Sequence, residues 1–459
     1  MYKYLIKRLL LFIPTLLVVS IIAFLLSTKA PGDPVQNLIQ ADFDQQFGID
    51  IKDQAFRYQE VAKRLYIDKP VFYFSIHPLA FPDTLHRILP LEKRDATIAL
   101  IRETGNWKAI QHFKQKLKIQ KLGKSNDIEV LSLLNRIEVR TSLAEIKSDL
   151  NLLSSLMNQN SDFESIQKSF QHVSQHKQNW KKWIPAFQWN GLQNRYHHWF
   201  SSFIKGDFGI SMRDGRPSTE KIEEALKWTL SMNLIALFLI FLISIPLGVY
   251  QAEKKDSRFD KISSQFFNIL FSIPIFWLAT LLIVFFTNNE YGAWTNWFPS
   301  VGVYIPDAEL SFIQAWINFS SKLILPILCI VLVSIAFTSK QMRNGIISEF
   351  NQQYAKTAQA KGLSKKVTIW KHVFKNALFP MITIFAAAIP ASIASSVVIE
   401  VIFSIPGIGR MMFISIINQD WPIVFSILML IAVVTTFSFL IADLLYAWAD
   451  PKVKYESNE

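Results

Sequence analysis

Six runs of apolar residues dominate the chain: Leu9 to Leu26, Trp228 to Tyr250, Ile262 to Thr287, Leu323 to Ser339, Leu378 to Ile399 and Ile423 to Trp448. Apart from Asp443 they hold no charged side chain, and each is long enough to cross a bilayer as a helix. Their interiors include Pro246, Pro274, Pro326 and Pro390. Proline is costly in a water-exposed helix, but neighbours in a membrane bundle re-satisfy the freed carbonyl. The first run reads as a retained span, because a secretory h-region is shorter and Pro31 after Ala30 makes a poor cleavage site. The expectation is an all-α polytopic membrane protein with six transmembrane helices.

Charge placement gives an orientation. The N-terminus, the loop after the second run, the Lys340 to Lys375 loop and the tail together hold 17 Lys and Arg residues. The alternate loops hold Lys322 and Arg410. By the positive-inside rule both termini are expected in the cytoplasm. Between the first two spans lie residues 29–227, expected outside the membrane with 29 basic and 23 acidic residues. That mixed surface accounts for half of the net charge of +12, and no nucleic-acid partner is expected. A hydrophobic content of 51% excludes a disordered chain, and the single Cys329 excludes a disulfide scaffold.

Within the outer region, Asp95 to Lys177 has apolar residues at spacings of three and four, from Leu100 and Ile101 through Ile110, Phe113, Leu134, Ile146 and Leu153. Breaks fall at Gly105, Gly123 and 158–162. A helical insert of four or five helices is expected at about 76–190. The domains expected are therefore 1–28 (tail and first span), 29–227 (outer region) and 228–459 (five-helix core with a cytoplasmic loop at 340–377). His172 and His176 have metal-ligand spacing, but without a third ligand nearby they read as solvated surface.

The loop from Tyr354 to Lys361 reads as a two-turn helix with small residues at Ala355, Ala358 and Ala360; Gly362 ends it and Ser364 caps the next helix. Such a helix suits docking in a groove of a soluble partner; an anchor at lipid headgroups is the other reading. Tyr354-Ala-Lys-Thr-Ala-Gln-Ala-Lys-Gly362, followed by Asn376-Ala-Leu-Phe-Pro380, resembles the EAA loop of bacterial ABC-transporter permeases. It is most similar to the B-type subunit of the dipeptide, oligopeptide and nickel importers. Further motifs fall in that family's order: Pro31-Gly-Asp-Pro34, Leu65-Tyr-Ile-Asp-Lys-Pro70, Gly206-Asp-Phe-Gly209, Pro246-Leu-Gly248, Glu400-Val-Ile-Phe403, Pro406-Gly-Ile-Gly409 and Asp420-Trp-Pro422. The resemblance covers about 1–75 and 190–455, and nothing of it carries over to the insert. Where the generic loop begins Glu-Ala-Ala, this chain has Lys356, Thr357 and Ala358.

The resemblance implies the type I ABC importer fold in a bacterial inner membrane. It also implies a second, C-type permease, two cytoplasmic ATPases and an extracytoplasmic solute-binding protein as partners, besides the bilayer. ATP is then used by the partner subunits, with no cofactor bound directly and no catalytic residue in this chain, which lacks a Gly-x-x-x-x-Gly-Lys-Ser/Thr loop. Peptides are the expected cargo, with nickel chelates or oligosaccharides as alternatives; a stand-alone secondary transporter is a further one. The coupling segment is Tyr354, Ala355, Lys356, Thr357, Ala358, Ala360, Lys361, Gly362 and Pro380. Candidates for the path or gate are Ser272, Ser395, Ser396, Glu400, Pro406, Gly407 and Gly409. For Glu400 two readings stand, a greeting for a cationic amine or a local cap; the serines could equally be close-packing residues.

Overall fold

The apolar runs are helices in the computed structural model, which describes residues 2–43, 51–123, 128–157, 161–287, 292, 297–298 and 312–449. The chain divides into two units, Met1–Ala30, Phe208–Ser211 and Arg216–Glu459 forming one, Pro31–Asp207 and Met212–Gly215 the other.

Helix α1 (Tyr2–Lys29) runs through Pro14 and belongs to the first unit. The second unit begins with α2 (Pro34–Phe43) and α3 (Ile51–Arg64). Asp33 starts α2 by accepting from the Val35 amide at 2.9 Å, and its other oxygen accepts from the Tyr58 hydroxyl at 2.7 Å. Burial and that carboxylate push the Tyr58 phenol well above its usual range. Strand β1 (Phe74–Pro78) leads into five helices, α4 (Leu91–Thr104), α5 (Trp107–Gly123), α6 (Ile128–Val139), α7 (Leu143–Leu156) and α8 (Ser161–Gln175). Strand β2 (Pro185–Trp189) then pairs antiparallel with β1, and α9 (Arg195–Ile204) follows.

The insert's core is the set that the spacing picks out, with Leu100, Ile101, Ile110, Phe113, Leu134, Ile146 and Leu153 buried together. Gly105 ends α4 at a φ of 70°, and a Cβ there would sit 2.4 Å from the Gln178 carbonyl oxygen. Asp149 is held by Arg136 and Arg140 at 2.7 and 2.8 Å. Lys114 donates to Thr97 and to the Glu138 carbonyl, and burial pushes its ammonium down to about 8. Sequence reading gives no expectation for the two-strand ribbon, nor for α2, α3 and α9; five-residue strands leave only a short alternation with no helix-length signal to weigh against it.

The chain returns to the first unit in α10 (Ser218–Glu253), α11 (Arg258–Ser272), α12 (Ile275–Phe286) and α13 (Phe312–Phe350). Then come α14 (Gln353–Ala360) and α15 (Lys365–Thr368), the latter continuing through a π turn into α16 (Phe374–Ile402). The last helices are α17 (Ile408–Ile417) and α18 (Trp421–Ala449). α10 begins ten residues before the expected core boundary at 228, because Ser218–Lys227 continues the helix beyond its apolar run.

Among the described residues, five helices are long and apolar enough to span a membrane. The expected third span is different: α11 and α12 meet at 93°. Pro274 disfavours helical geometry at the residue before it, and Ile273 is extended at ψ 121°. Pro246, Pro326, Pro380 and Pro390 lie inside helices that continue past them. α10 and α13 cross closely at Gly248, where a Cβ would stand 2.6 Å from the Ser339 carbonyl oxygen.

Candidate functional site

A two-residue turn after α13 delivers α14, whose two faces differ sharply. Ala355 is fully buried and packs with Val249, Met342, Ile346, Ile369 and Val373 from α10, α13 and the π turn. Ala358 is buried on the same side. Tyr354, Lys356, Thr357, Ala360 and Lys361 are exposed. The close-approach face expected to enter a partner's groove is therefore turned inward. Methyl side chains let this short helix sit against the ends of three long ones, and only the opposite face is free.

Several bonds fix that seat. The Tyr354 hydroxyl donates to Glu349 at 2.7 Å; burial, and then this carboxylate, push the phenol up to about 12. Lys365 donates to the Glu253 carbonyl oxygen at the end of α10. Gly362 ends α14 at a φ of 86°, left-handed backbone that favours glycine, and Ser364 caps α15 through the Val367 amide at 3.5 Å. Arg343 of α13 grips Asp260 of α11 through two bonds of 2.7 Å. Asp260 also accepts from the Asp256 amide at 3.0 Å, so the loop between α10 and α11 is locked to α13. Counting the basic residues of this loop passes over Asp260, the lone acid between Arg258 and Lys261.

The second group of candidates meets at the junction of α16 and α17. Glu400 has no exposed surface. One carboxylate oxygen accepts from the Thr229 hydroxyl at 2.7 Å, the other from the Arg410 amide at 2.9 Å. The Thr229 oxygen in turn accepts from the Ile408 amide at 2.8 Å. Thr229 and Glu400, from two different helices, thus cap the first amides of α17, which its own turn leaves unpaired. A carboxylate at a helix N-terminus also meets the positive end of the helix dipole. Of the two readings of Glu400, the local cap is what the geometry contains; the carboxylate faces no solvent.

The glycines follow from the same packing. A Cβ on Gly407 would lie 2.4–2.6 Å from the Glu400 carboxylate, and one on Gly409 would lie 2.7 Å from the Val397 backbone. Pro406 precedes them in the turn, and Ser396 is buried, donating to the Ile393 carbonyl at 2.9 Å. α17 has ten residues, too few to span a bilayer. Thr229 gives no signal in sequence, since its partners lie 171 and 179 residues away.

Ser272 lies apart from this junction. It is exposed, donates to the Asn268 carbonyl at 2.8 Å, and lines an open groove of about 1080 Å³ with Gln265 and Asn268 of α11 and the apolar Ile269, Phe276 and Trp277. The expected path residues are thus split between a buried cap and an open, largely apolar groove. The Ser395 side chain lies outside the described residues. His172 and His176 stack their rings at 4.3 Å, and Cys329 is buried in the core of the first unit.

The model of the binding-protein-dependent transport system inner membrane component family matches residues 244–455. The oligopeptide transport system permease protein AppB of Bacillus subtilis is 35% identical over 262 residues, 57% of this chain and 80% of that protein. The peptidoglycan transport system permease protein YejB of Agrobacterium fabrum is 34% identical over 260 residues, 56% and 71% of the two chains. The dipeptide transport system permease protein DppB of Alkalihalophilus pseudofirmus is 30% identical over 284 residues, 58% and 84%. The chain belongs to the binding-protein-dependent transport system inner membrane component family, the multi-pass permease subunits of ABC importers.

Proposed function

We propose that this chain is one of two membrane subunits of an ATP-driven peptide importer. It pairs with a C-type permease, two cytoplasmic ATPases that bind and hydrolyse the ATP, and an extracytoplasmic solute-binding protein; both its termini are cytoplasmic. The observation that carries the reading is α14, seated through Ala355 and presenting Tyr354, Lys356, Thr357, Ala360 and Lys361 outward. A helix fixed to α10, α13 and α16 on one side and free on the other moves those helices as one when a partner pushes its free face. The peptide cargo is supported by the names of the relatives. Ser272 and the α11 groove are the proposed wall of the path, and the Glu400 cap is its rigid frame.

The test is co-expression with the neighbouring transporter genes, followed by purification through a tag on this chain. Recovery of an ATPase pair and a second permease, with recovery of the ATPases lost in Lys361→Glu, is expected. ATPase recovery unchanged in Lys361→Glu and in Thr357→Trp would refute docking at α14.

A further inference from the structure

The ribbon of the second unit is amphipathic the wrong way round for a surface sheet. Its register pairs Phe74 with Trp189, Ser75 with Gln188, Ile76 with Phe187 and His77 with Ala186. A half-solvated antiparallel sheet turns its apolar face inward. Here Ser75, His77, Ala186 and Gln188 are the half-covered side, with His77 and Gln188 in hydrogen-bond contact at 3.3 Å. Phe74, Ile76, Phe187 and Trp189 face outward; Ile76 and Phe187 are each 68% exposed, and the rings of Phe74 and Phe187 stack at 5.9 Å. Just before β2, Trp183 is 86% exposed and Trp180 58%. A contiguous exposed patch of this kind marks an interaction surface.

The charge around the patch says what covers it. From Ser165 to Gly206 the sequence has no Asp or Glu; Lys168 and Lys177 pair with Glu164 and Glu103 and Lys182 reaches the Arg102 carbonyl at 2.9 Å, which leaves Lys181 beside the exposed Trp180 and Trp183. Lys181 stands 5.5 Å from the Trp180 ring centre. Protein–protein interfaces are depleted in lysine. Trp, Phe and Lys together are the composition of the membrane–water boundary, where rings lie among headgroups and ammonium groups meet phosphates. The unit is also tethered at both ends to helices long and apolar enough to span, α1 and α10. Tethering raises the effective concentration of its surface at a bilayer, so a weak intrinsic affinity suffices.

We propose that the outward face of the β1–β2 ribbon seats in the phospholipid headgroup layer, with Trp183 and Phe187 among the headgroups and Lys181 on an anionic phosphate. This holds whichever solute the transporter carries. It accounts for an apolar face left open on a two-strand ribbon, and it makes the bilayer a direct ligand of the second unit.

The experiment uses the full chain in nanodiscs of phosphatidylcholine and phosphatidylglycerol (3:1), on a Cys329→Ala background. Spin labels go on Trp183→Cys and Phe187→Cys, sites exposed enough that substitution leaves the fold intact, with Ile119→Cys (63% exposed on α5) as the aqueous control. Labels at 183 and 187 should be reached by oxygen in preference to a water-soluble nickel chelate, and the label at 119 the reverse. Replacing Lys181 by Gln should lower the ratio of lipid-seated to free label about fivefold. Nickel access at 183 and 187 equal to that at 119 would overturn the proposal. So would protection from nickel that arises only when the solute-binding protein is added, which assigns the face to a protein partner instead.

Discussion

Glu400→Ala is the most informative single perturbation of the first unit, because this chain carries its own reporter. Its one cysteine, Cys329, is fully buried, in a core that also contains Ile399, Phe403 and Ile405 from the same junction. A maleimide fluorophore therefore labels the chain only when that core opens. Removing the carboxylate leaves two buried donors, the Arg410 amide and the Thr229 hydroxyl, without their acceptor. Each orphaned donor costs roughly 1–3 kcal/mol. The hydroxyl can turn to a carbonyl of its own helix, so the low end is the safer figure, about 2 kcal/mol in all. When labelling follows the equilibrium population of the open form, that corresponds to about a 30-fold faster reaction at fixed temperature. Glu400→Gln keeps one acceptor oxygen but sets an amide donor against the other donor, and should fall between the two. A labelling rate for Glu400→Ala within threefold of the unmodified chain would refute the assignment of Glu400 as the cap of α17.

Four further outcomes follow from the geometry. Gly248→Ala should open Cys329 to labelling by a cost of about 1–3 kcal/mol, since its Cβ would meet the Ser339 carbonyl oxygen at 2.6 Å. Ala355→Leu should weaken the same protection by overpacking the seat of α14, while Lys361→Glu on the free face should leave it unchanged; equal effects would contradict the two-faced helix. Lys114 should titrate near pH 8 by NMR of its side chain. Because its folded pKa lies below the unfolded value, the unfolded chain binds more protons between about pH 8 and 10.4, so this residue's contribution makes the insert more stable as pH rises through that window. Replacing 80–183 by Asn-Gly should close β1 and β2 into a hairpin, since Leu79 already donates to the Ile184 carbonyl at 2.8 Å; Cys329 protection lost in that variant would show that the insert is needed to fold the first unit.

Much of this molecule is legible in its sequence because local chemistry decides it. Runs of about twenty uncharged apolar residues have one stable state in hydrocarbon, and the period of three to four in Leu100 to Leu153 is enough to mark the insert's core. Gly362, Ser364 and the Tyr354 segment are readable as helix ends for the same reason. Legibility stops where the deciding partners are distant in sequence or of no distinctive type. Small side chains alone present the alanines of α14 as a docking face; only the packing of α10, α13 and the π turn against Ala355 shows that they are its seat. Glu400 stands open between cargo contact and cap until Thr229, 171 residues away, and the Arg410 amide are placed on its two oxygens. Apolar content alone cannot separate one straight span from two helices at 93°, because hydrophobicity fixes burial in lipid but not direction, and the turn is set by the extended backbone before Pro274. By itself the sequence determined which long segments are helical, apolar and membrane-bound. Tertiary structure decided which face of each is free, since a side chain's exposure depends on the neighbours that long-range packing brings to it.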